Sequence, residues 1–460
     1  MFDKLLVANR GEIAVRIIRA AKELDLRTVA LFSDADKDSL AVRLADEAVH
    51  IGPPPAAKSY LNIEAILDAA RQTGAGTIHP GYGFLSENAR FAEAVAAAGR
   101  VFVGPTADNI RMMGDKAAAR SAAQAAGVPV VPGSDGEVAD LDQALTAAHA
   151  IGFPVMLKAS AGGGGRGIRV AADAAAFEHQ FHTAQAEAKA AFGSGALYLE
   201  RFLQRARHLE VQVLGDGDRV VHCFERECSL QRRRQKIWEE APSPAIDDNT
   251  REALCTSAVR LAERVGYRSA GTLEYLYDED TGEFFFIEMN TRIQVEHPIT
   301  EMITGIDLVR EMIRIAQGER LGLAQADVKI RGAAIEVRIN AEDPDKNFRP
   351  SPGRIAGLTL PAGPGVRVDT MLYPGYVVPP YYDSLLAKII VHAETRDFAL
   401  ARLRRALDEF EIDGVVTTAE LHKRLARMKE VQGARFDTGF LERLLTAEAP
   451  SAPEQGHRHA

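Results

Sequence analysis

The sequence predicts a multidomain protein that combines α/β with α+β architecture, and three observations support this prediction. A length of 460 residues exceeds what one hydrophobic core usually organises. The chain begins with a strand–helix–strand pattern over residues 4–9, 11–24 and 28–32, which implies a parallel sheet. From residue 208 to about residue 290 apolar and polar residues alternate, as in antiparallel strands, and residues 331–446 form a last mixed α/β segment.

The N-terminal strand–helix–strand unit is predicted to be Rossmann-like, with a further strand over residues 77–79. It lacks the dinucleotide-binding fingerprint, because no second or third glycine follows Asn9-Arg10-Gly11 at the required spacing. A nicotinamide cofactor is therefore not expected.

Composition excludes several classes of protein. The chain is 46% hydrophobic and 26% charged, with a net charge of −9, so a general nucleic-acid surface is not expected. No apolar run approaches the ~20 residues that a membrane-spanning helix needs. The N-terminus lacks the profile of a signal peptide, and the sparse cysteines, Cys223, Cys228 and Cys255, favour reduced thiols. We expect a cytoplasmic protein.

Residues 132–203 predict a compact insert with a glycine-rich loop. Its pattern gives strands over residues 154–159, 167–171 and 197–201 and a helix over residues 173–192. The loop, residues 162–167, leaves backbone N–H groups free to approach phosphate oxygens, although the same glycines are typical of a mobile loop. A Walker-type loop would open a helix and end in Gly-Lys-Ser/Thr. This loop lies between strands, which favours a flexible hairpin that closes over a nucleotide.

Acidic residues near the end of the antiparallel region predict a metal site. Strand alternation places Glu288 and Asn290 on one face, and a carboxylate with an amide oxygen suits Mg²⁺. The turn over residues 278–282 predicts a hairpin. If the pairing centres on Asp280, Glu274 faces Phe286 and is a diagonal neighbour of Glu288. Two carboxylates this close would repel each other unless a cation lay between them.

The residues that follow predict a site for a small anion. Arg292 offers a planar fork for an oxyanion, and Glu296 can act as a base beside it. Gln294 and the backbone of Val295 belong to the same polar string, which runs from residue 288 to residue 298. The alternative is a salt-bridged loop without a ligand.

Six strings in this sequence resemble motifs of one family. They lie at residues 4–14, 79–88, 158–165, 288–298, 336–343 and 379–384, and together they span roughly residues 3–445. The chain is thereby identified as similar to the biotin carboxylase component of the biotin-dependent carboxylases, which have the ATP-grasp fold. The resemblance implies a Rossmann-like N-terminal domain (1–113), an ATP-grasp domain (114–330) with a mobile lid (about 132–203) and a mixed α/β C-terminal domain (331–446). The small, polar composition of residues 447–460 predicts a disordered tail.

The resemblance also implies roles for individual residues. Those expected at the nucleotide are Lys116, Lys158, Gly163, Gly164, Gly165, Glu200, Arg201, Leu203, His208, Gln231, Arg234 and Leu276. Glu274, Glu288 and Asn290 are expected at the metal, and Lys236, Arg292, Gln294, Val295 and Glu296 at bicarbonate. Arg338 is expected at the ureido oxygen of biotin, with Tyr82 lining the same pocket. Arg234 departs from the family pattern, in which His is usual at this position, so nucleotide affinity can differ.

The implied activity is ATP- and bicarbonate-dependent carboxylation of biotin through carboxyphosphate, with Mg²⁺ or Mn²⁺. The implied partners are a biotin carboxyl carrier protein, a carboxyltransferase subunit and a second copy of the chain, in an acyl-CoA carboxylase of fatty acid biosynthesis. Met428-Lys429-Glu430 lacks the second Met of a biotinylation site, and no carrier-sized domain follows it, so biotin is expected on another chain. The equivalent subunit of a pyruvate or urea carboxylase remains an alternative.

Two other classes of function share parts of the pattern. Another ATP-grasp ligase, of the carboxylate–amine or carbamoyl-phosphate type, would have the lid and the metal carboxylates but not Arg338 or the string from Arg292 to Glu296. A non-catalytic partner subunit would keep the fold, but intact Lys116, Lys158 and Glu274 argue against it.

Overall fold

The computed structural model describes residues 2–138, 140–159, 168–192 and 194–448, which divide into two compact units. The larger unit comprises Met1–Val128, Arg207–Tyr275 and Glu288–Ala460. The smaller unit comprises Pro129–Ala206 and Leu276–Ile287. Among the described residues, no helix is long and apolar enough to cross a membrane.

The N-terminal part of the larger unit is an α/β layer structure. Its elements are β1 (Lys4–Val7), α1 (Gly11–Glu23), β2 (Arg27–Phe32), α2 (Leu40–Leu44), β3 (Glu47–His50), α3 (Ile63–Thr73), β4 (Thr77–His79), α4 (Ala89–Ala97), β5 (Val101–Phe102), α5 (Ala107–Gly114) and α6 (Lys116–Ala125). The strands form a parallel sheet in the order β3-β2-β1-β4-β5, which is the predicted Rossmann-like arrangement. Asp115 caps α6, because its side chain accepts from the N–H of Ala118 at 2.9 Å.

The order of these strands reverses between β1 and β4, and in open parallel sheets such a point is where ligands bind. The loops after the two strands are tied together by Asn9, whose Nδ2 donates to the carbonyl oxygens of Pro80 and Tyr82, each at 2.7 Å. This contact fixes the position of the loop that carries Tyr82.

The smaller unit is a three-stranded antiparallel sheet packed on helices. Its elements are α7 (Leu141–Ile151), β6 (Val155–Ala159), β7 (Ile168–Ala171), α8 (Ala174–Phe192) and β8 (Leu197–Arg201), and the strand order is β7-β6-β8. Leu157, Phe177 and Leu199 are among its fully buried core residues. The unit contains the span predicted as a lid, whereas the glycine loop itself lies outside the described residues.

The rest of the chain supplies an eight-stranded sheet and the helices around it. Its elements begin with β9 (Ala206–Asp216), β10 (Val220–Arg232), β11 (Gln235–Ala241), α9 (Asp248–Arg264), β12 (Arg268–Asp278), β13 (Phe284–Asn290), α10 (His297–Thr304) and α11 (Leu308–Ala316). They continue with β14 (Ala333–Asn340), β15 (Glu342–Asp343), β16 (Arg349–Pro350), β17 (Gly353–Arg354), β18 (Gly357–Thr359), β19 (Val366–Thr370), β20 (Val377–Val378), β21 (Leu385–Ala393), α12 (Arg396–Glu409), β22 (Glu411–Asp413), α13 (Ala419–Leu425), α14 (Lys429–Gln432) and α15 (Phe440–Glu448).

The large sheet runs across the boundary predicted near residue 330. Its strand order is β13-β12-β9-β10-β11-β14-β21-β19, and β11 pairs with β14 with Trp238 opposite Val337. A continuous sheet therefore brings residues from the predicted ATP-grasp domain next to residues from the predicted C-terminal domain. At the end of the chain, α15 includes the first two residues of the predicted tail, and residues 449–460 lie outside the described residues.

The hairpin between β12 and β13 closes one residue away from the predicted centring on Asp280. The N–H of Asp278 donates to the carbonyl oxygen of Glu283, and the N–H of Gly282 donates to that of Asp278, both at 2.8 Å. Gly282 has a φ of 74°, so Gly282 and Glu283 together oppose Asp278 as in a glycine-type bulge. The extra residue shifts the expected register, and the pairing of Glu274 with Phe286 that we predicted from Asp280 is not the one this closure gives.

Candidate active site

Lys236 lies at the centre of a buried cluster of three carboxylates. It is on β11, and its Nζ donates to Glu210 Oε2 at 2.5 Å, to Glu274 Oε1 at 2.9 Å and to Glu296 Oε1 at 2.8 Å. Burial opposes the charge on its ammonium group, but the three carboxylates raise the pKa of Lys236 well above its usual value. Lys236 is therefore a permanent cation, and it links strands β9, β11 and β12 to the segment before α10.

Arg338 approaches the same cluster from β14. Its Nη2 lies 3.0 Å from Glu296 Oε2, and its Nε donates to Glu239 Oε1 at 2.7 Å. The contact between Arg338 and Glu239 follows from the pairing of β11 with β14. Glu239 lies directly opposite Glu336, and Arg338 follows Glu336 by two residues on the same face of β14. The guanidinium is thus held in a fixed direction from two sides.

Glu296 is fully buried between these two cations, with one carboxylate oxygen facing each. Burial alone would raise the pKa of a carboxyl group, but Lys236 and Arg338 hold the pKa of Glu296 well below its usual range. The side chain is therefore an ionised carboxylate at neutral pH. A small anion can bind beside Glu296, because Lys236 and Arg338 supply positive charge. The carboxylate of Glu296 can accept a proton from that anion, because it has free lone pairs.

Arg292 is oriented by three side chains around its guanidinium. Its Nε donates to Glu87 Oε2 at 2.9 Å, its Nη1 to Gln294 Oε1 at 2.8 Å and its Nη2 to Asn290 Oδ1 at 2.8 Å. Glu87 also accepts from the N–H of Thr291 at 3.0 Å. These contacts fix the fork of Arg292 at the end of β13, so the group is preorganised for a small anion.

Glu274, one of the carboxylates expected at the metal, contacts two neighbouring polar side chains. Glu274 Oε1 accepts from Asn290 Nδ2 at 2.9 Å, and its Oε2 lies 3.1 Å from His208 Nε2. Burial would raise the pKa of Glu274, but Lys236 and His208 lower it, so this carboxylate is ionised. Burial and the negative charge of Glu274 raise the pKa of Glu288.

This donor set fits a divalent cation. Two neighbouring carboxylates repel each other, and a hard cation between them would remove that repulsion. His208, Glu210 and Glu274 also present donor atoms within 4.8 Å of one another. The oxygen of Asn290 accepts from Arg292, so the amide contacts both the guanidinium of Arg292 and the carboxylate of Glu274.

The expected nucleotide residues are distributed over both units. In the larger unit, Lys116 begins α6, His208 contacts Glu274, and Gln231 donates to the carbonyl oxygen of Cys228 at 2.8 Å. Arg234 lies in the tight turn between β10 and β11 with a φ of 65°.

In the smaller unit, Lys158 forms an ion pair with Glu200 across β6 and β8. Arg201 donates to Glu283 at 3.0 Å, and Leu203 and Leu276 belong to one apolar cluster. The remaining expected residues, Gly163, Gly164 and Gly165, lie outside the described residues.

The structure also adds partners that the sequence analysis did not identify. Glu210 bridges Lys236 and the buried Arg226, because its Oε1 accepts from Arg226 Nε at 2.5 Å while its Oε2 accepts from Lys236. Glu239 holds Arg338, and burial raises the pKa of Glu239 to about 7 although Arg338 opposes this. The signal for Glu210 was a carboxylate in the alternating run of β9, two residues after His208. Tyr82 donates through its hydroxyl to Glu12 on α1.

Comparison with protein families gives three consecutive matches. Residues 1–110 match the model described as the biotin carboxylase N-terminal domain, and residues 336–443 match the biotin carboxylase C-terminal domain. Residues 115–324 match the model described as the ATP-binding domain of the carbamoyl-phosphate synthase L chain.

Individual relatives and structures are similar over nearly the whole chain. A biotin carboxylase of Pseudomonas aeruginosa is 56% identical over 447 residues, which are 97% of this chain and 99% of the relative. The biotin carboxylase domain of a thermophilic 2-oxoglutarate carboxylase, solved with bicarbonate, has a TM-score of 0.92 and 47% identity, and the match covers 96% of this chain and 98% of that one.

A dimer of the corresponding domain from Hydrogenobacter thermophilus, solved with MgADP, ADP and bicarbonate, has a TM-score of 0.85 and 49% identity. The match covers 96% of this chain and 98% of that one.

Proposed function

Because the chain belongs to the biotin carboxylase family, we propose that it uses ATP and bicarbonate to carboxylate biotin held on a separate carrier protein. The observation that carries this proposal is the ionised carboxylate of Glu296 between Lys236 and Arg338. A base flanked by two cations suits a reaction in which a small anion first loses a proton and a second negative charge then develops nearby.

The first chemical step would consume bicarbonate. The fixed fork of Arg292, with Gln294 and the backbone of Val295, would bind the anion, and Glu296 would accept its proton. The deprotonated bicarbonate would attack the γ-phosphorus of ATP and release ADP, which gives carboxyphosphate. Glu274 and Glu288 would hold Mg²⁺ or Mn²⁺, which supplies charge neutralisation for the phosphoryl group.

The second step would take place on biotin. Carboxyphosphate would release CO₂ and phosphate, and the phosphate would remove the N1′ proton of biotin. Arg338 would stabilise the negative charge that develops on the ureido oxygen, and N1′ would then add to CO₂. Tyr82, in the loop after β4, would line the pocket that receives the ring.

We assign contacts with ATP to Lys116, His208, Gln231 and Arg234 in the larger unit. In the smaller unit we assign them to Lys158, Glu200, Arg201, Leu203, Leu276 and the glycines at 163–165. The three family matches, to residues 1–110, 115–324 and 336–443, support the domain boundaries that we inferred near residues 113 and 330. We assign the lid to about 132–203.

The cellular context we propose is an acyl-CoA carboxylase of the cytoplasm that supports fatty acid biosynthesis, with a carrier protein and a carboxyltransferase as partners. A homodimer is supported by the dimer of the Hydrogenobacter thermophilus domain. The similarity to a domain of a 2-oxoglutarate carboxylase shows that relatives of this chain serve other acceptors too. Acceptor choice would therefore belong to the carboxyltransferase, and pyruvate or urea remains an alternative.

The proposal is tested by measuring ADP release by the purified chain with MgATP, free biotin and ¹⁴C-bicarbonate. We expect ADP release that needs bicarbonate and acid-labile ¹⁴C on biotin. ATP turnover that is independent of bicarbonate and requires an amine would instead favour another ATP-grasp ligase. The match to the ATP-binding domain of the carbamoyl-phosphate synthase L chain is the observation that favours this alternative.

A further inference from the structure

Lys388 is a buried lysine that none of the roles described above uses. It lies on β21 with 0% of its side chain exposed. Its Nζ donates to the carbonyl oxygen of Val295 at 2.9 Å, lies 3.0 Å from Glu12 Oε1 and lies 3.9 Å from Asp369 Oδ2. A buried ammonium group is costly unless its partners are well placed, so this position needs a reason.

The sheet register brings Lys388 next to the catalytic residues. Arg338 on β14 lies directly opposite Lys388 on β21, which in turn lies opposite Asp369 on β19. Directly opposed residues of antiparallel strands share a face, so the three charged side chains form a row on one side of the sheet. The segment that contains Val295 lies against that row, immediately before α10 begins at His297.

The bond from Lys388 acts on a peptide group attached to Glu296. The carbonyl of Val295 and the N–H of Glu296 belong to one planar peptide unit, so fixing the carbonyl oxygen fixes the plane that leads to the α-carbon of Glu296. The same ammonium group pairs with Glu12 on α1, and Glu12 accepts from the hydroxyl of Tyr82. Lys388 thus links the segment that contains Glu296 to the loop that contains Tyr82, through Glu12.

Neighbouring carboxylates keep the ammonium group of Lys388 charged. Burial opposes the charge, but Glu12, Glu336 and Asp369 raise the pKa of Lys388. A charged donor makes a hydrogen bond about twice as strong as a neutral one.

We propose that Lys388 is a positioning residue for the bicarbonate site, which holds the Val295–Glu296 peptide in place and couples it to the biotin-side loop through Glu12 and Tyr82. The proposal rests on the proposed function, because it assigns bicarbonate to the residues from Arg292 to Glu296. It predicts a defect in the use of bicarbonate that is separate from the use of ATP.

The test compares Lys388→Met, the double variant Glu12→Gln/Lys388→Met and the control Arg396→Met. The double variant removes Lys388 together with its carboxylate partner Glu12, so it leaves less buried charge uncompensated than the single variant does. Arg396 pairs with the buried Glu240 on the same sheet but contacts none of the site residues described here, so it controls for loss of a buried ion pair. Thermal unfolding of each variant reports on folding.

We expect both Lys388 variants to raise the KM for bicarbonate at least tenfold in bicarbonate-dependent ADP release, with the KM for ATP within twofold of wild type. Arg396→Met should leave both constants within twofold. A folded double variant with a wild-type KM for bicarbonate would overturn the inference, since Val295 would then not need its donor. Equal increases in the KM for ATP and for bicarbonate would also overturn it, since they indicate general loss of structure.

The two proposals fail in different ways. If the wild-type chain releases ADP without any need for bicarbonate, the proposed function is wrong and this inference is wrong with it. If wild type depends on bicarbonate but the variants do not change its KM, only the role of Lys388 is wrong.

Discussion

Glu296 shows how a single residue acquires its chemistry from neighbours on two strands. Its two carboxylate oxygens face Lys236 at 2.8 Å and Arg338 at 3.0 Å, and the residue is completely buried. Removing one partner of a buried charge pair leaves the other uncompensated, which typically costs about 3–5 kcal/mol. The cluster is therefore both a candidate reaction centre and a constraint on which side chains the site tolerates.

Arg234 is predicted to adjust nucleotide affinity and not the chemistry. It lies in the turn between β10 and β11, outside the cluster of Lys236, Glu296 and Arg338. We expect Arg234→His to change the KM for ATP by less than about tenfold, or ~1.4 kcal/mol, and to keep most of kcat. Steady-state ADP release at varied ATP measures this. Loss of nearly all turnover would assign a catalytic role to Arg234.

Glu274 is predicted to hold the metal ion. We expect Glu274→Gln to raise the Mg²⁺ concentration needed for half-maximal ADP release by on the order of tenfold or more, because an ionised carboxylate is a stronger ligand than an amide. The control is Glu263→Gln, which changes an exposed carboxylate on α9. If the two variants require the same Mg²⁺ concentration, Glu274 is not a metal ligand.

At the scale of elements, the pairing of β11 with β14 does most to build the site. Lys236 and Glu239 are on β11 and Arg338 is on β14, so one strand pair supplies both cations that face Glu296. The sequence predicts alternation from residue 208 to about residue 290, and the strands over 77–79 and 197–201 appear with the predicted bounds.

The side-chain contacts that the sequence alone did not predict join residues that are far apart along the chain. Glu239 and Arg338 are separated by 99 positions, and Glu87 and Arg292 by 205, so local patterns contain no information about either contact. The closure of the β12–β13 hairpin differs from the predicted one because Gly282, the last residue of the predicted turn, forms a bulge opposite Asp278. Lys388 did offer a signal, a lone lysine within the apolar run of β21.

Strands β6 and β7 are predicted to respond to nucleotide. Lys158 on β6 is an expected ATP contact, and a bound ligand reduces the local opening that exposes amide groups. We expect MgATP to slow amide hydrogen exchange in β6 and β7, while α12 exchanges at an unchanged rate. Equal exchange of β6 and β7 with and without MgATP would contradict the assignment of Lys158 to the nucleotide site.

At the scale of the whole molecule, the chain is a biotin carboxylase homologue whose match covers 99% of the Pseudomonas aeruginosa relative. The three family models fall in the order expected for such a protein. In the proposed reaction this chain activates bicarbonate, and a separate carrier protein brings biotin to it.

The purified chain is accordingly predicted to contain no covalent biotin. Lys429, in the nearest approach to a biotinylation motif, begins the short helix α14, and the second Met of the motif is replaced by Glu430. We expect no streptavidin signal from the chain expressed in cells, with the biotinylated carrier from the same cells as the positive control. A streptavidin-reactive band at the mass of this chain would contradict the prediction.

The central claim is that Glu296 activates bicarbonate and that Arg338 acts later, on biotin. The most direct measurement follows ADP release and ¹⁴C-carboxybiotin in the same reactions for wild type, Glu296→Ala, Arg338→Ala and the control Arg396→Ala. A mutation slows only the steps whose transition state uses the lost interaction.

Glu296→Ala should therefore lose both products, and Arg396→Ala should lose neither. Arg338→Ala should keep measurable bicarbonate-dependent ADP release while carboxybiotin falls by a factor on the order of 10². If Arg338→Ala forms carboxybiotin at nearly the wild-type rate, the assignment of the biotin site is wrong.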